Sequence, residues 1–222
     1  MIITLDGPCG SGKSTLAQLL ATRLGFFYIN SGYLYRSLAY LLVDEFGYDE
    51  DTLHSPDLQD VAFILDSQRF RYDYQQGVAQ VFFNDVNITL YLKSADISRY
   101  ASIVSACLQV RQAIVPLQQH FASLYDLVTD GRDCGTEIYP QAQFKFYITA
   151  QPEIRATRLQ KDLQAKGIIM PFDQVLQATI DRDKADMQRA SCPLKKADDA
   201  IEVDTSDKTI DQVLDFIFSF IQ

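Results

Sequence analysis

The chain lacks the features that would point to a membrane, an exported scaffold or a polyanionic partner. Its four cysteines, Cys9, Cys107, Cys134 and Cys192, are widely spaced and form no C-x-x-C pair. Such spacing suggests neither a zinc site nor a disulfide framework, and a reducing cytoplasm fits it best. No apolar run approaches the roughly 20 residues that a membrane-spanning helix needs. The first apolar run, Met1-Ile2-Ile3-Thr4-Leu5, has no basic segment ahead of it and leads straight into a glycine-rich loop, so it reads as a core strand and not as a signal peptide. Positive charge is in deficit: 20 Lys and Arg stand against 29 Asp and Glu, a net charge of −9. That balance argues against a broad contact with nucleic acid or an anionic membrane. It leaves room for a small phosphorylated ligand, which senses only local charge. His54 and His120, the two histidines, have no partner in the pattern and are expected at the surface. No internal repeat or low-complexity segment stands out.

With 222 residues and 47% hydrophobic content, the chain suits a single globular unit carrying insertions. The segment Gly7-Pro8-Cys9-Gly10-Ser11-Gly12-Lys13-Ser14-Thr15 fits the P-loop pattern G-x-x-x-x-G-K-[ST]. It follows the strand-like run and opens a helix-like segment from Leu16 to Leu24, the setting the motif requires. Glycines let the backbone turn with positive φ and come close to phosphate oxygens. Successive N–H groups and the helix dipole then cradle the anion. Lys13 is placed to reach the β- and γ-phosphates, and Ser14 offers a hydroxyl to Mg²⁺. Cys9 is expected to face away from the phosphates.

Further strand-like runs are Phe26–Ile29, Leu127–Asp130, Phe144–Thr149 and Ala200–Val203. Helical periodicity covers Ser31–Phe46, Ala95–Ala106, Val110–Tyr125, Pro152–Ala165, Phe172–Arg189 and Thr209–Phe220, with Pro116 a candidate kink. Strands alternating with helices predict an α/β fold with a central parallel five-stranded sheet covered on both faces. Arg69–Asn84 reads as a β-hairpin around Gln75-Gln76-Gly77, and its Phe and Tyr residues read as packing. The charged helices within Pro152–Pro193 look like a second insertion, of the kind that becomes a mobile lid.

Two polar segments follow strands, where open α/β sheets place ligands. They are Asn30-Ser31-Gly32-Tyr33-Leu34-Tyr35-Arg36 and Asp130-Gly131-Arg132-Asp133-Cys134-Gly135-Thr136. Arg182, Asp186 and Arg189 fall at i, i+4 and i+7 and share a helix face; Arg155 and Arg158 are three apart. Each of these charges also has a plainer reading, as a solvated or salt-bridged surface residue. Across essentially its full length the chain resembles the bacterial cytidylate kinases, a nucleoside monophosphate kinase family. The similarity is carried by the P-loop, the Ser31-Gly32-x-x-Tyr35-Arg36 segment, the hairpin, the Asp130–Thr136 segment and the stretch ending Arg189-Ala190-x-x-Pro193-Leu194.

The resemblance implies a P-loop kinase core at 1–35, 107–150 and 194–222, an NMP-binding insertion at 36–106 and a lid at 151–193. It implies an ATP-dependent (d)CMP kinase using Mg²⁺, cytoplasmic and monomeric, with no membrane or nucleic-acid polymer as partner. Gly7 to Thr15 would hold ATP. Lys13, Arg132, Arg158 and Arg189 would be catalytic. Arg36, Arg132 and Arg189 would hold the acceptor phosphate, with Ser31 nearby. Ser102, Arg111 and Asp133 would read cytosine, and Arg182 and Asp186 would meet the ribose hydroxyls. Ser14 is the metal residue of the P-loop motif, and Asp130, by its position alone at the end of its strand, would serve the metal through a water. Asp133 suits cytosine, whose exocyclic amine is a donor, and opposes uracil, which presents an oxygen there. The chain departs from the family pattern at Asn30, where the family usually has Asp, and at Ala185 and Met187, where it tends to have Arg. The alternatives are a P-loop nucleotide-binding protein with lost or altered catalysis, or a kinase for another small acceptor.

Overall fold

The computed structural model describes residues 1–221. Strand β1 (Ile2–Asp6) leads through the glycine loop into α1 (Lys13–Leu24); β2 (Phe27–Asn30) leads into α2 (Ser31–Phe46), and α3 (Leu58–Leu65) follows. Next come β3 (Phe70–Gln75), β4 (Val78–Phe83) and the short β5 (Val86–Asn87), then α4 (Ala95–Ala106) and α5 (Leu108–Leu124). The chain closes with β6 (Leu127–Gly131), β7 (Phe144–Thr149), α6 (Pro152–Ala165), α7 (Phe172–Gln188), β8 (Ile201–Asp204) and α8 (Ile210–Ile221). Five strands make one sheet in the order β2-β6-β1-β7-β8, and β3, β4 and β5 make a separate sheet. The five-stranded sheet is parallel and flanked by helices, as the alternating pattern predicts. Crossovers between non-adjacent strands leave the carboxyl ends of β1 and β6 opening onto neighbouring loops, where such sheets bind ligands.

The chain packs as two compact units. One comprises Met1–Leu24 together with everything from Val128 onward; the other is Gly25–Leu127. In the first unit, Ile3 and Leu5 of β1, Phe146 and Ile148 of β7, and Leu214 and Ile217 of α8 are buried. Complete burial of an aliphatic or aromatic side chain is worth about 1.5–3 kcal/mol, so this apolar layer fixes the strand ends that carry the polar loops. In the second unit, Leu34, Leu38, Leu41 and Leu42 form the buried stripe of α2, at the three-to-four spacing of an amphipathic helix.

Three details differ from the sequence expectation. Gln75 pairs with Val78, so the hairpin turn is the two residues Gln76 and Gly77, both at positive φ (52° and 78°). That geometry matches the twist of the flanking strands. A second such turn at Asn84 and Asp85 (φ 46° and 62°) adds the unexpected β5. Helix α3 was also not expected. It is only eight residues long, and Asp57, whose side chain accepts from the Gln59 N–H at 2.8 Å, starts it. Among the described residues no helix is long and apolar enough to cross a membrane.

Asn30 caps α2: its side-chain oxygen accepts from the Tyr33 N–H at 3.0 Å, while its amide nitrogen donates to the Tyr28 hydroxyl at 3.1 Å. Its backbone N–H donates to the Tyr72 hydroxyl at 2.9 Å. An amide serves here because the site needs a donor and an acceptor together. Replacing Asn30 by Ala should cost about 1 kcal/mol in urea denaturation, the usual worth of such a cap. An unchanged unfolding midpoint would show that the cap contributes nothing.

Candidate active site

The P-loop links β1 to α1. Gly7, Gly10 and Gly12 take φ values of 152°, 76° and 87°. At Gly7 a side chain has no room, because a Cβ would lie 2.0 Å from the Ile148 carbonyl oxygen. The buried Ser11 hydroxyl and the Lys13 ammonium both donate to the Pro8 carbonyl, each at 3.0 Å, which folds the loop back on itself. Burial, and next the Arg132 charge, push Lys13 down to about 8. The Ser14 hydroxyl donates to Asp130 Oδ2 at 2.6 Å, joining the start of α1 to the end of β6. Two oxygen ligands so placed, one of them a carboxylate, suit a hard cation such as Mg²⁺ that keeps most of its waters. Among the described residues no group of three or more His, Cys, Asp or Glu could hold a metal by itself.

Beyond β6 the chain makes a π-helical turn, Cys134–Ile138, in which Tyr139 N–H reaches the Cys134 carbonyl at 2.7 Å. Such wide turns recur at functional sites because they re-aim neighbouring side chains. Asp133 precedes it and is buried. The Asp133 carboxylate pairs with Arg189 Nη2 at 3.4 Å, and Arg132 Nε donates to Asp186 Oδ2 at 2.6 Å. Two crossed ion pairs therefore tie this turn to the end of α7. Burial opposes the charge on Arg132, but Asp186, Cys9 and Asp130 together outweigh it and hold the guanidinium more firmly protonated than usual. Burial likewise opposes the Asp186 charge, and Arg132 brings that carboxyl below its ordinary value.

Arg189 is not on the helix with Arg182 and Asp186. Helix α7 ends at Gln188, and Arg189 is extended (φ −61°, ψ 142°), with Nε donating to the Cys192 carbonyl at 2.5 Å. The Cys9 thiol lies in the field of Arg182, Arg132 and Lys13, which together outweigh burial and lower its pKa from the ordinary 9.0.

Arg155 is buried against the loop. It donates to the Cys9 carbonyl at 3.2 Å and the Ala150 carbonyl at 2.8 Å, and pairs with Asp183 of α7 at 2.7 Å. Arg158 donates to the Thr205 carbonyl at 2.7 Å and to the Thr205 hydroxyl at 3.0 Å. That hydroxyl lies 3.0 Å from the Ser11 carbonyl. Both arginines of α6 thus brace the back of the P-loop.

In the second unit, Ser31 is the first residue of α2 and buried. Arg36 donates from Nε to the Gly32 carbonyl at 2.9 Å, with its guanidinium 5.0 Å from the Tyr33 ring. Arg111 is buried, donates to the Ser105 carbonyl at 3.1 Å and lies 5.3 Å from the Tyr35 ring. Ser102, on α4, is half-buried, and its carbonyl accepts from the Ser105 hydroxyl at 3.0 Å. His54 and His120 are exposed, as expected.

Sequence reasoning missed Asp6, Asp183 and Thr205. Asp6 was legible in principle, as an acid ending an apolar strand at the mouth of the loop. The other two have no local signature: their partners lie 28 and 47 residues away.

A parallel sheet with a phosphate-cradling loop after its central strand, and a cationic turn after the next, defines a P-loop kinase. The family model described as cytidylate kinase matches residues 3–222. The chain is 38% identical over 218 residues to the cytidylate kinase of Listeria monocytogenes, covering 98% of this chain and 94% of that one. It is 39% identical over 224 residues to the cytidylate kinase of Chlamydia trachomatis, covering 100% and 98%. Among solved structures, an uncharacterized protein from Eubacterium ventriosum superposes with a TM-score of 0.50 at 15% identity, covering 100% of this chain and 97% of that one, which bears on the fold alone. The chain belongs to the cytidylate kinase family.

Cys9 should react with iodoacetamide at neutral pH faster than Cys134, whose burial pushes its thiol up. MgATP should slow the Cys9 reaction. A Cys9 alkylation profile with its midpoint at or above 9.0 would contradict the lowered thiol.

Proposed function

We propose that the protein transfers the γ-phosphoryl group of ATP to CMP and dCMP, giving ADP with CDP or dCDP. The observation that carries this reading is the pairing of two loops within one unit. A P-loop with its lysine lies with a turn bearing Arg132 and Asp133, and both turn residues are ion-paired to α7. Gly7 to Thr15 bind the triphosphate and Lys13 meets its terminal phosphates. Ser14, and Asp130 through a water, would hold Mg²⁺, which would supply positive charge to offset that of the phosphates.

Arg132 and Arg189 take the acceptor phosphate, exchanging carboxylate partners for phosphate oxygens. The family resemblance alone assigns Ser31 and Arg36 to the acceptor phosphate, and Ser102, Arg111 and Asp133 to cytosine. Arg182 and Asp186 meet the ribose. A phosphate oxygen of CMP attacks the γ-phosphorus as the bond to the ADP oxygen breaks. The acceptor is already an anion, so no side chain has to remove a proton. Catalysis rests on positioning and on cations facing the equatorial oxygens. Arg158 contributes there by exchanging its Thr205 contacts for phosphate.

The division into a core at 1–35, 107–150 and 194–222, an acceptor-binding insertion at 36–106 and a lid at 151–193 follows from the same reading. The same reading takes the protein to be a cytoplasmic monomer. Loss of catalysis, argued from Ala185 and Met187, gains little support. Both positions are exposed, off the buried face that carries Asp186.

ADP release measured across CMP, dCMP, UMP and AMP with MgATP tests the reading: CMP and dCMP should be turned over fastest. Asp133→Asn should erode the CMP-over-UMP preference by roughly 10²-fold, the penalty of a misplaced buried polar group. A preference that does not move would remove Asp133 from base recognition, and the absence of any CMP-dependent turnover would overturn the kinase reading.

A further inference from the structure

Asp6 ends β1 and stands immediately before Gly7. Its buried carboxylate accepts two consecutive backbone N–H groups from the turn after β6: Cys134 N–H to Oδ1 at 2.9 Å and Gly135 N–H to Oδ2 at 2.7 Å. These two residues open the π-helical turn, whose first N–H groups have no partner within the turn itself. Each carboxylate oxygen is thus engaged by a backbone donor across more than 120 residues of sequence.

The turn is also pressed onto β1. A Cβ at Gly135 would come within 2.8 Å of Thr4 Oγ1, 3.3 Å of Asp6 Oδ2 and 3.3 Å of Lys145 Cδ. Anything larger than glycine has to push aside the Thr4 hydroxyl, the Asp6 carboxylate or the turn itself. Burial pushes the Asp6 carboxyl up to about 6, against the pull of the two N–H groups, so at neutral pH it remains the acceptor both donors need.

We propose that Asp6 is a positioning residue for the acceptor nucleotide: it staples the turn carrying Arg132 and Asp133 to the strand that launches the P-loop. The proposal rests on the CMP kinase reading. Asp6 touches neither substrate, yet it fixes where the phosphate-holding arginine and the base-reading carboxylate stand relative to the donor cradle. Both anchors lie on one rigid strand end, so donor and acceptor geometry cannot drift independently.

The test is Asp6→Asn, which keeps shape but turns one acceptor into a donor facing an N–H. The expected result is a rise in KM for CMP and a drop in kcat/KM for CMP of roughly 10- to 100-fold, the range for leaving a buried donor unsatisfied. The CMP-over-UMP preference should shrink, while KM for ATP stays within about threefold. Amide exchange on the substrate-free protein should show faster exchange at Cys134 and Gly135 with the P-loop amides unchanged. Gly135→Ala, which displaces the same turn with Asp6 intact, should give the same kinetic pattern and serves if the Asp6 variant fails to fold. A fall in kcat alone, with KM for CMP and the CMP-over-UMP preference as in the unmodified protein, would overturn the proposal and leave the kinase reading intact. If the unmodified protein shows no CMP turnover, the kinase reading fails, and amide exchange still decides whether Asp6 holds the turn.

Discussion

Like charges crowd the first unit, and much of its architecture serves to hold them together without a phosphate. Lys13, Arg132, Arg182 and Arg189 gather at the P-loop, with Arg155 braced behind it. At ~5 Å and an effective dielectric of about 20, two unit charges repel by roughly 3 kcal/mol, so such a cluster needs interleaved anions. Asp186 answers Arg132, Asp133 answers Arg189, and Asp183 answers Arg155. These pairs are mostly buried, where losing one partner strands the other at a cost of about 3–5 kcal/mol. A phosphate can replace a carboxylate in this setting because it brings the same charge sign and more acceptor oxygens.

That arrangement links stability to function. Two of these three carboxylates, Asp133 and Asp186, are the ones the kinase reading assigns to base and ribose. On the kinase reading, the charge pairs at the end of α7 would exchange carboxylate for phosphate when substrate binds. The α6 arginines divide the work. Arg155 spends its donors on the Ala150 and Cys9 carbonyls, stiffening the P-loop from behind, whereas Arg158, held by Thr205, is the one the kinase reading assigns to the transferred phosphate.

The sequence made the periodic parts legible. Helix α2, helix α6 and strand β7 fall where the residue pattern puts them, because each has a clear apolar stripe or a capping or proline start. The P-loop was legible because its glycines are forced by backbone geometry and close approach. Short elements escaped: α3 has too few turns to show a period, and β5 is two residues long. The local pattern also ran α7 one residue too far, since Arg189 continues the helical spacing but leaves the helix to reach Asp133 and Cys192. The lowered Cys9 thiol was not legible either: charges from distant segments set its surroundings, and spacing carries no trace of them. The Asp6 staple is the clearest case of a contact that only folding creates.

Following the labelled γ-phosphoryl group of ATP is the most direct measurement, because it separates transfer from hydrolysis. Label should pass to CDP in proportion to added CMP, with little released as inorganic phosphate. Label found only in inorganic phosphate, at a rate indifferent to CMP, would contradict a two-substrate site built from the P-loop and the Arg132–Asp133 turn.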